Sequence, residues 1–580
     1  MYKHKALLFS ILFLFSCQDN FLQSPEDTVN DEIESDSTKT FSVAEAMEAN
    51  LSTHESPNDY NWSGTSAQTI SLNGNIITAS GTGVSIEANI ATITAGGDYI
   101  LSGNLEDGRI IVDSDDKNIV RLILDNATIH STTNAPLCIL NAEKTVIILA
   151  DNSTNFLSDT GNYLFENPQE DEPNATLFSK DDLSIAGNGS LRIDANYNDG
   201  ITSKDGLLIH SGGIAITSVD DGIRGKDYLV IRNGNITIDA LGDALKSDND
   251  EDSTSGYILI ENGELNINAG ADGIDAETDA LISGGLLTIK TGGGSAMAVS
   301  GDNSAKGIKG NSLVVIDDGN FEINASDDAL HSNSNIVING GEFQIATADD
   351  AIHADASIVI NDGSIDVSKC VEGVESNIIS IHKGTIRIIA ADDCFNSTAG
   401  TRTERNDNSC TYIYGGTLTL NASGGDGLDS NGNIVMEGGT VIIHGPSRDP
   451  EVMIDYNGTF KISGGILISS GSASRMTQAP SSSSDQNSLA IMFRSSMSAA
   501  TLFHIEDSNG NNVVTFKPLH NYQSIVYSSA ELEKGKTFTF YTGGSCTGEN
   551  YDGLYSGGTF TGGTNSTSFT VSSTVTSIVK

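Results

Sequence analysis

Basic residues are scarce in this chain: 30 Lys and Arg stand against 77 Asp and Glu, for a formal net charge of -47 at pH 7. That deficit argues against a nucleic acid or an anionic membrane surface as partner, because like charges would repel along the whole contact. It points towards cations. Proline is rarer still, 9 in 580 residues, and no segment carries the apolar period of an amphipathic helix. Cysteine numbers only six. With Cys17 set apart for the reason given next, the other five (Cys138, Cys370, Cys394, Cys410 and Cys546) are an odd number, which argues against a disulfide framework. Cys394 and Cys410 bracket a polar insert that a disulfide would close in an oxidising compartment.

The chain opens with the basic segment Met1-Tyr2-Lys3-His4-Lys5, followed by an apolar run from Ala6 to Phe15 and then Ser16-Cys17. This reads as a signal peptide, since the run is too short to span a bilayer as a helix. Leu14 and the small Ser16 before Cys17 resemble the processing box of bacterial lipoproteins, although Phe15 is larger than that box prefers. Cys17 is then expected to become an acylated first residue, a lipid anchor for a secreted protein on the outer membrane or cell surface. The alternative is an ordinary signal peptide that happens to end in cysteine. Residues 18–60 are rich in Asp, Glu, Ser and Thr and poor in apolar side chains, which predicts a disordered acidic tether. The expected organisation is a signal segment over 1–17, the tether over 18–60, a repeat domain over 61–487 and a C-terminal β-rich cap over 488–580.

The repeat is seen by aligning hexapeptides such as Asp221-Gly-Ile-Arg-Gly-Lys226, Asp328-Ala-Leu-His-Ser-Asn333 and Asp350-Ala-Ile-His-Ala-Asp355. Their first positions, 199, 221, 243, 272, 306, 328, 350, 372, 393 and 426, differ by 22, 22, 29, 34, 22, 22, 22, 21 and 33. A unit of 22 residues therefore recurs, with three insertions. Each hexapeptide is followed by an alternating apolar run such as Ile336-Val-Ile338, a turn such as Gly340-Gly341, and a second run such as Phe343-Gln-Ile345. Three short strands per unit with glycine at the corners predict an all-β solenoid, a right-handed parallel β-helix of about 22 residues per coil. The region before 195 has similar runs without clear acids and reads as irregular early coils. The tail from about Ser488 keeps β character without the repeat, as expected of a cap over exposed strand edges.

Stacked coils place residues one period apart about 4.8 Å from each other. The first position thus becomes a vertical row of acids (Asp221, Asp243, Asp272, Asp328, Asp350, Glu372, Asp393), with a second row just before it at Asp327, Asp349 and Asp392. Like charges at that spacing repel by about 3.5 kcal/mol per pair at an effective dielectric of ~20. Raised pKa values, a nearby lysine or a hard divalent cation would compensate, and Ca²⁺, with its six to eight oxygen ligands in flexible geometry, suits carboxylates best. The plainer reading is that each acid caps its own turn. The insert Asp248-Asn-Asp-Glu-Asp252 has the alternating acids of a calcium loop, but Ser253 and Leu259 stand where an EF-hand needs Gly and Glu.

Lys306, Lys309 and Lys246 lie beside these rows, and His331 and His353 share one row on adjacent coils. A lysine beside carboxylate-bound calcium is what a polysaccharide lyase uses as base, with Lys309 or Lys246 in that role; simple charge balance is the alternative. The ordered set Ala305-Lys-Gly-Ile-Lys309, Asp327-Asp-Ala-Leu-His331, Asp349-Asp-Ala-Ile-His353, Glu372-Gly-Val-Glu375 and Asp392-Asp-Cys-Phe-Asn396 resembles the secreted bacterial carbohydrate-binding proteins of the pectate-lyase-like β-helix superfamily, related to a polysaccharide-binding protein of a cellulolytic clostridium. The resemblance is strong over about 195–445. Ala329, Ala351 and Cys394 replace the glycine usual after the acid, which alters the corner and leaves the acid rows. The resemblance implies Ca²⁺ as cofactor and an acidic or cellulosic polysaccharide as partner, without established lyase activity. On that reading the protein is a noncatalytic surface polysaccharide binder, expected to be a monomer, with Lys306, Lys309, His331, His353 and Tyr257 as candidate sugar contacts. A calcium-dependent lyase and a structural adhesin are the competing functions.

Overall fold

A computed structural model describes residues 41–580 except 166, 168, 170, 298, 300–302, 401–404 and 564. The signal segment, Cys17 and the first part of the expected tether lie outside the described residues. Among the described residues helix is confined to Val43–Ala46 and the 3-10 turn Met47–Ala49. The rest is all-β, dominated by one long and mostly parallel sheet.

In the unit that begins at Asp328 the strands are Leu330–Ser332, Asn335–Ile338 and Glu342–Thr347. Each pairs in parallel with its counterpart in the next unit: Leu330 lies opposite Ile352, Ile336 opposite Ile358 and Phe343 opposite Ile365. The chain thus forms three columns of strands, and the three insertions leave the register intact, with Lys246 opposite Asp275 and Asp275 opposite Lys309 across two of them. Period-two alternation turns one set of side chains inward, so that Ile223, Leu245, Ile274, Ile308, Leu330, Ile352, Val374 and Phe395 stack in one continuous buried row. Glycine at the second corner is required by backbone geometry. Gly341 and Gly363 have φ of 101° and 116°, and a Cβ on Gly341 would lie 3.1 Å from the Gly319 carbonyl of the unit before.

Parallel stacking reaches further towards the N-terminus than the acid pattern does. Gln68–Gly74 pairs in parallel with Gly97–Leu105, which pairs with Val120–His130. At the other end Ile466–Gly471 pairs with Tyr522–Ser528 in antiparallel fashion, and beyond it an antiparallel sheet packs Phe503, Phe516 and Phe540 into a separate core.

The tether expected as far as Tyr60 is corrected over 41–60. The second column turns an apolar stripe outward as well as inward, comprising Leu208, Tyr228, Val230, Tyr257, Leu259, Leu281, Val315 and Val337, and Val43, Ala46, Phe41, Met47 and Tyr60 pack on it. Polar contacts pin the segment along its length. The Val43 N–H donates to Asp317, Asn50 Nδ2 to Asp279 at 2.8 Å and the Tyr257 hydroxyl to the Leu51 carbonyl at 2.8 Å. His54 N–H donates to the Tyr228 hydroxyl at 2.7 Å, and Lys144 Nζ meets the fully buried Asp59 at 2.9 Å. A few apolar side chains suffice for ordering because the surface they need is built by distant strands. The pairing of Cys394 and Cys410, left open by the sequence, is not formed: both thiols are free and buried, and Cys394 packs into the inner core.

Replacing Asp59 by Ala leaves the Lys144 ammonium buried without its carboxylate, a change worth on the order of 3 kcal/mol. Hydrogen exchange should show amides of residues 51–60 losing protection while the parallel strands keep theirs. Unchanged protection in 51–60 would mean that the pair does not hold the segment.

Candidate functional site

The corner before the first column carries the acids, and each aspartate of the row uses one carboxylate oxygen to hold the next unit, whereas Glu372 accepts from Asn396 instead. Asp243 N–H donates to Asp221 Oδ1 at 2.9 Å, Asp272 N–H to Asp243 Oδ1 at 2.8 Å and Lys306 N–H to Asp272 Oδ1 at 2.6 Å. Asp350 N–H donates to Asp328 Oδ1 at 3.1 Å, Glu372 N–H to Asp350 Oδ1 at 3.3 Å and Asp426 N–H to Asp393 Oδ1 at 2.5 Å. Where Lys306 offers no carboxylate, Asp328 N–H turns to Asp327 Oδ1. The acids are therefore caps, but they cap the neighbouring unit, which makes the row a ladder.

Three residues after each ladder position from Asp221 onward comes a second row, half-buried and in register: Arg224, Lys246, Asp275, Lys309, His331, His353, Glu375, Asn396 and Asp429. Its composition divides the ladder into three stretches. In the first, Lys246 pairs with Asp243 and lies 3.7 Å from Asp221, while Lys309 lies 2.9 Å from Asp275 and 3.8 Å from Asp272. Lys306 closes this stretch at 2.8 Å from Asp327 and 3.1 Å from Asp328. Burial still raises Asp221 to about 7 and Asp272 to about 6. In the second, His331 Nδ1 lies 2.8 Å from Asp328 Oδ2 and His353 Nδ1 3.2 Å from Asp350 Oδ2. Burial alone would lift the Asp328 carboxyl, but His331 and Lys306 hold it below its ordinary value.

The third stretch runs from Glu372 through Asp393 to Asp426, and its second row offers Glu375, Asn396 and Asp429 in place of cations. Burial, then the neighbouring Asp393, Asp429 and Asp455, push the Asp426 carboxyl up to about 8. Burial followed by Glu372 and Asp392 takes Asp393 to about 7. Glu372 and Glu375 are both raised, first by burial and then by mutual and neighbouring negative charge. Asn396 donates to Glu372 Oε2 at 2.8 Å, yet its own Oδ1 is buried and accepts no hydrogen bond. An all-oxygen donor set with an orphaned carbonyl and surplus negative charge fits a hard cation such as Ca²⁺.

The remaining candidates fall in several places. Asp349 and Asp392 are on the exposed side of the corner; burial, then Asp350 and Asp328, raise Asp349 to about 6. Tyr257, expected to face a glycan, is fully buried beneath Leu51, a correction with the same cause as the ordering of 41–60. Burial works against the charge of Lys246 and Lys309, but the surrounding aspartates hold both ammonium groups above their ordinary value. A general base must be neutral, so this setting suits charge compensation rather than proton abstraction. The Asp248–Asp252 insert caps itself through Asn249 Oδ1, which accepts the N–H groups of Glu251 and Asp252. Arg224, Asp275, Glu375, Asn396 and Asp426 were not singled out as site residues in the sequence. Their signal was the fourth position of each hexapeptide, read as a row of its own, and for Asp426 the first.

These features define an all-β repeat protein that presents a continuous row of charged side chains along one face. The chain belongs to the family of carbohydrate-binding domain-containing proteins, whose model matches residues 87–351 and 347–491. A curated relative from Acetivibrio thermocellus, also described as a carbohydrate-binding domain-containing protein, is 42% identical over 134 residues, 23% of this chain. The match spans 47% of that relative, about half its length. Among solved structures, the polysaccharide lyase-like protein from C. thermocellum, in a gadolinium derivative, aligns with a TM-score of 0.36 and 29% identity over 51% of this chain and 96% of that one.

The raised carboxyls of the third stretch tie stability to pH. A carboxyl near 4 in the unfolded chain and near 8 in the fold binds its proton more tightly when folded, so its contribution is complete below about pH 4 and is lost as pH rises through 8. Between pH 5 and 7 in chelator, Asp426→Asn should remove about 1.4 kcal/mol per pH unit from the fall in stability. Urea unfolding measures this, and an unaltered slope would place the proton elsewhere.

Proposed function

We propose that this protein is a noncatalytic, calcium-dependent polysaccharide-binding module. Its family supports a carbohydrate partner, and the single observation that carries the calcium reading is the uncompensated carboxylate stretch around Glu372, Asp393 and Asp426 with the orphaned Asn396 carbonyl. On this reading the three strand columns close into a parallel β-helix with the right hand that parallel β crossovers adopt. The ten ladder positions from Asp199 to Asp426 make a face about 43 Å long at ~4.8 Å per coil. A net charge of -47 repels an acidic glycan, so a uronate polymer such as polygalacturonate binds through calcium ions shared between protein and sugar carboxylates. Acylation at Cys17 holds the module on the bacterial surface, and 488–580 caps the last coil.

Calorimetric titration of the chelator-treated chain with Ca²⁺ and then polygalacturonate, with absorbance watched for unsaturated sugar, tests the reading. Calcium uptake followed by polymer binding without product is the expected result. Product formation would instead establish a lyase, and no calcium uptake would leave the acids as turn caps alone. Asp393→Asn combined with Asp426→Asn should weaken calcium at least about tenfold, in line with the loss of two charged ligands.

A further inference from the structure

The middle stretch of the ladder differs in kind from the stretch that follows it. His331 and His353 stand in register on adjacent units, with ring centroids 5.2 Å apart and planes inclined by 50°. We propose that His331, His353 and Asp328 form a binding site for a borderline transition-metal ion such as Zn²⁺, distinct from the hard-cation stretch. This goes beyond the calcium reading and does not depend on it.

The ligand atoms of Asp328, His331 and His353 all lie within 4.8 Å of one another. Tetrahedral coordination at about 2.0–2.1 Å sets neighbouring ligand atoms roughly 3.4 Å apart, a spacing reached from here by small side-chain rotations. Two imidazoles and a carboxylate are donors that zinc and its neighbours accept readily, whereas calcium takes oxygen.

The surrounding contacts orient the donors. Asp328 is 4% exposed; its Oδ1 is engaged by Asp350 N–H at 3.1 Å, while its Oδ2 faces both His331 Nδ1 at 2.8 Å and Lys306 Nζ at 3.1 Å, so a metal takes this oxygen by displacing the Lys306 ammonium. His331 Nε2 lies 3.0 Å from Asn333 Oδ1, and His353 Nε2 lies 3.5 Å from Asp355 Oδ1. Both ring nitrogens of each histidine face acceptors, so the metal would replace the Nδ1 proton that the carboxylates hold in its absence, and the acceptors at Nε2 would keep the Nε2–H, the outer-sphere arrangement found around histidine ligands. Asp350 and Glu375 lie 3.2 and 3.8 Å from the same Nδ1 of His353, and either carboxylate could supply a fourth ligand. The competing role is an imidazolium pair that only neutralises Asp328 and Asp350, as the lysines do for the preceding units. That role involves no metal.

The test is titration of the untagged, chelator-treated full chain with Co²⁺, whose visible absorption reports nitrogen and oxygen ligation, and then with Zn²⁺, both in excess Ca²⁺. One ion per chain is expected, retained against calcium and displaced by zinc. His331→Gln and His353→Gln should each weaken Co²⁺ at least about tenfold while the far-UV circular dichroism and the urea midpoint stay unchanged, which shows that the variants are folded. Asp426→Asn should leave the cobalt spectrum as it is. No Co²⁺ uptake, or equal uptake by the double histidine variant, would overturn the site and leave the imidazolium role; loss of calcium uptake alone, in the calorimetric experiment above, would bear only on the calcium reading.

Discussion

In-register parallel stacking is the constraint from which the rest of this protein follows. Once the units pair strand on strand about 4.8 Å apart, whatever occupies one position of the repeat is multiplied into a row. Apolar rows are self-reinforcing, and the inner row from Ile223 to Phe395 needs no further explanation than burial. A row of acids is the opposite case, since every copy adds repulsion. Its persistence at nine of ten positions, with Lys306 at the tenth, means that each carboxylate is held by something stronger.

Part of the answer lies in the backbone. One oxygen of each aspartate in the row accepts the N–H of the next unit, as in Asp243 to Asp221 and Asp350 to Asp328, so these acids belong to the stacking itself. The other oxygen meets the second row, and there the chain changes its solution from lysine to imidazole to further carboxylate and amide. The backbone caps remain similar along the ladder while the chemistry of the outer side changes. A repeat that is structurally uniform thus carries distinct charged environments, which is how an extended fold acquires local function.

The same multiplication explains the second column. Rows of Leu, Val and Tyr facing outward form an apolar stripe that exposure would penalise, and residues 41–60 lie along it, pinned at intervals by Asp317, Asp279, Tyr228 and Lys144. Tyr228 and Tyr257 are consumed in that contact. Aromatic side chains of the kind that stack on sugars are here buried in the packing of the fold.

The all-β class, the 22-residue period, the three strands per unit and the vertical row of acids were determined by the sequence alone, because they rest on short-range patterns repeated many times. So was the oddness of the cysteine count. Only the tertiary structure decided that Phe41–Tyr60 is ordered and that Tyr257 is covered, since both depend on partners distant in the chain, from 85 residues for Asp59 and Lys144 to 206 for Leu51 and Tyr257. It also decided that Cys394 turns into the core while Cys410 begins a different column. The partners of each acid were within reach of the sequence, as the fourth position of every hexapeptide. Their meaning was not, because a lysine three residues after one acid also serves the acids of adjacent units, and that sharing exists only when the units are stacked.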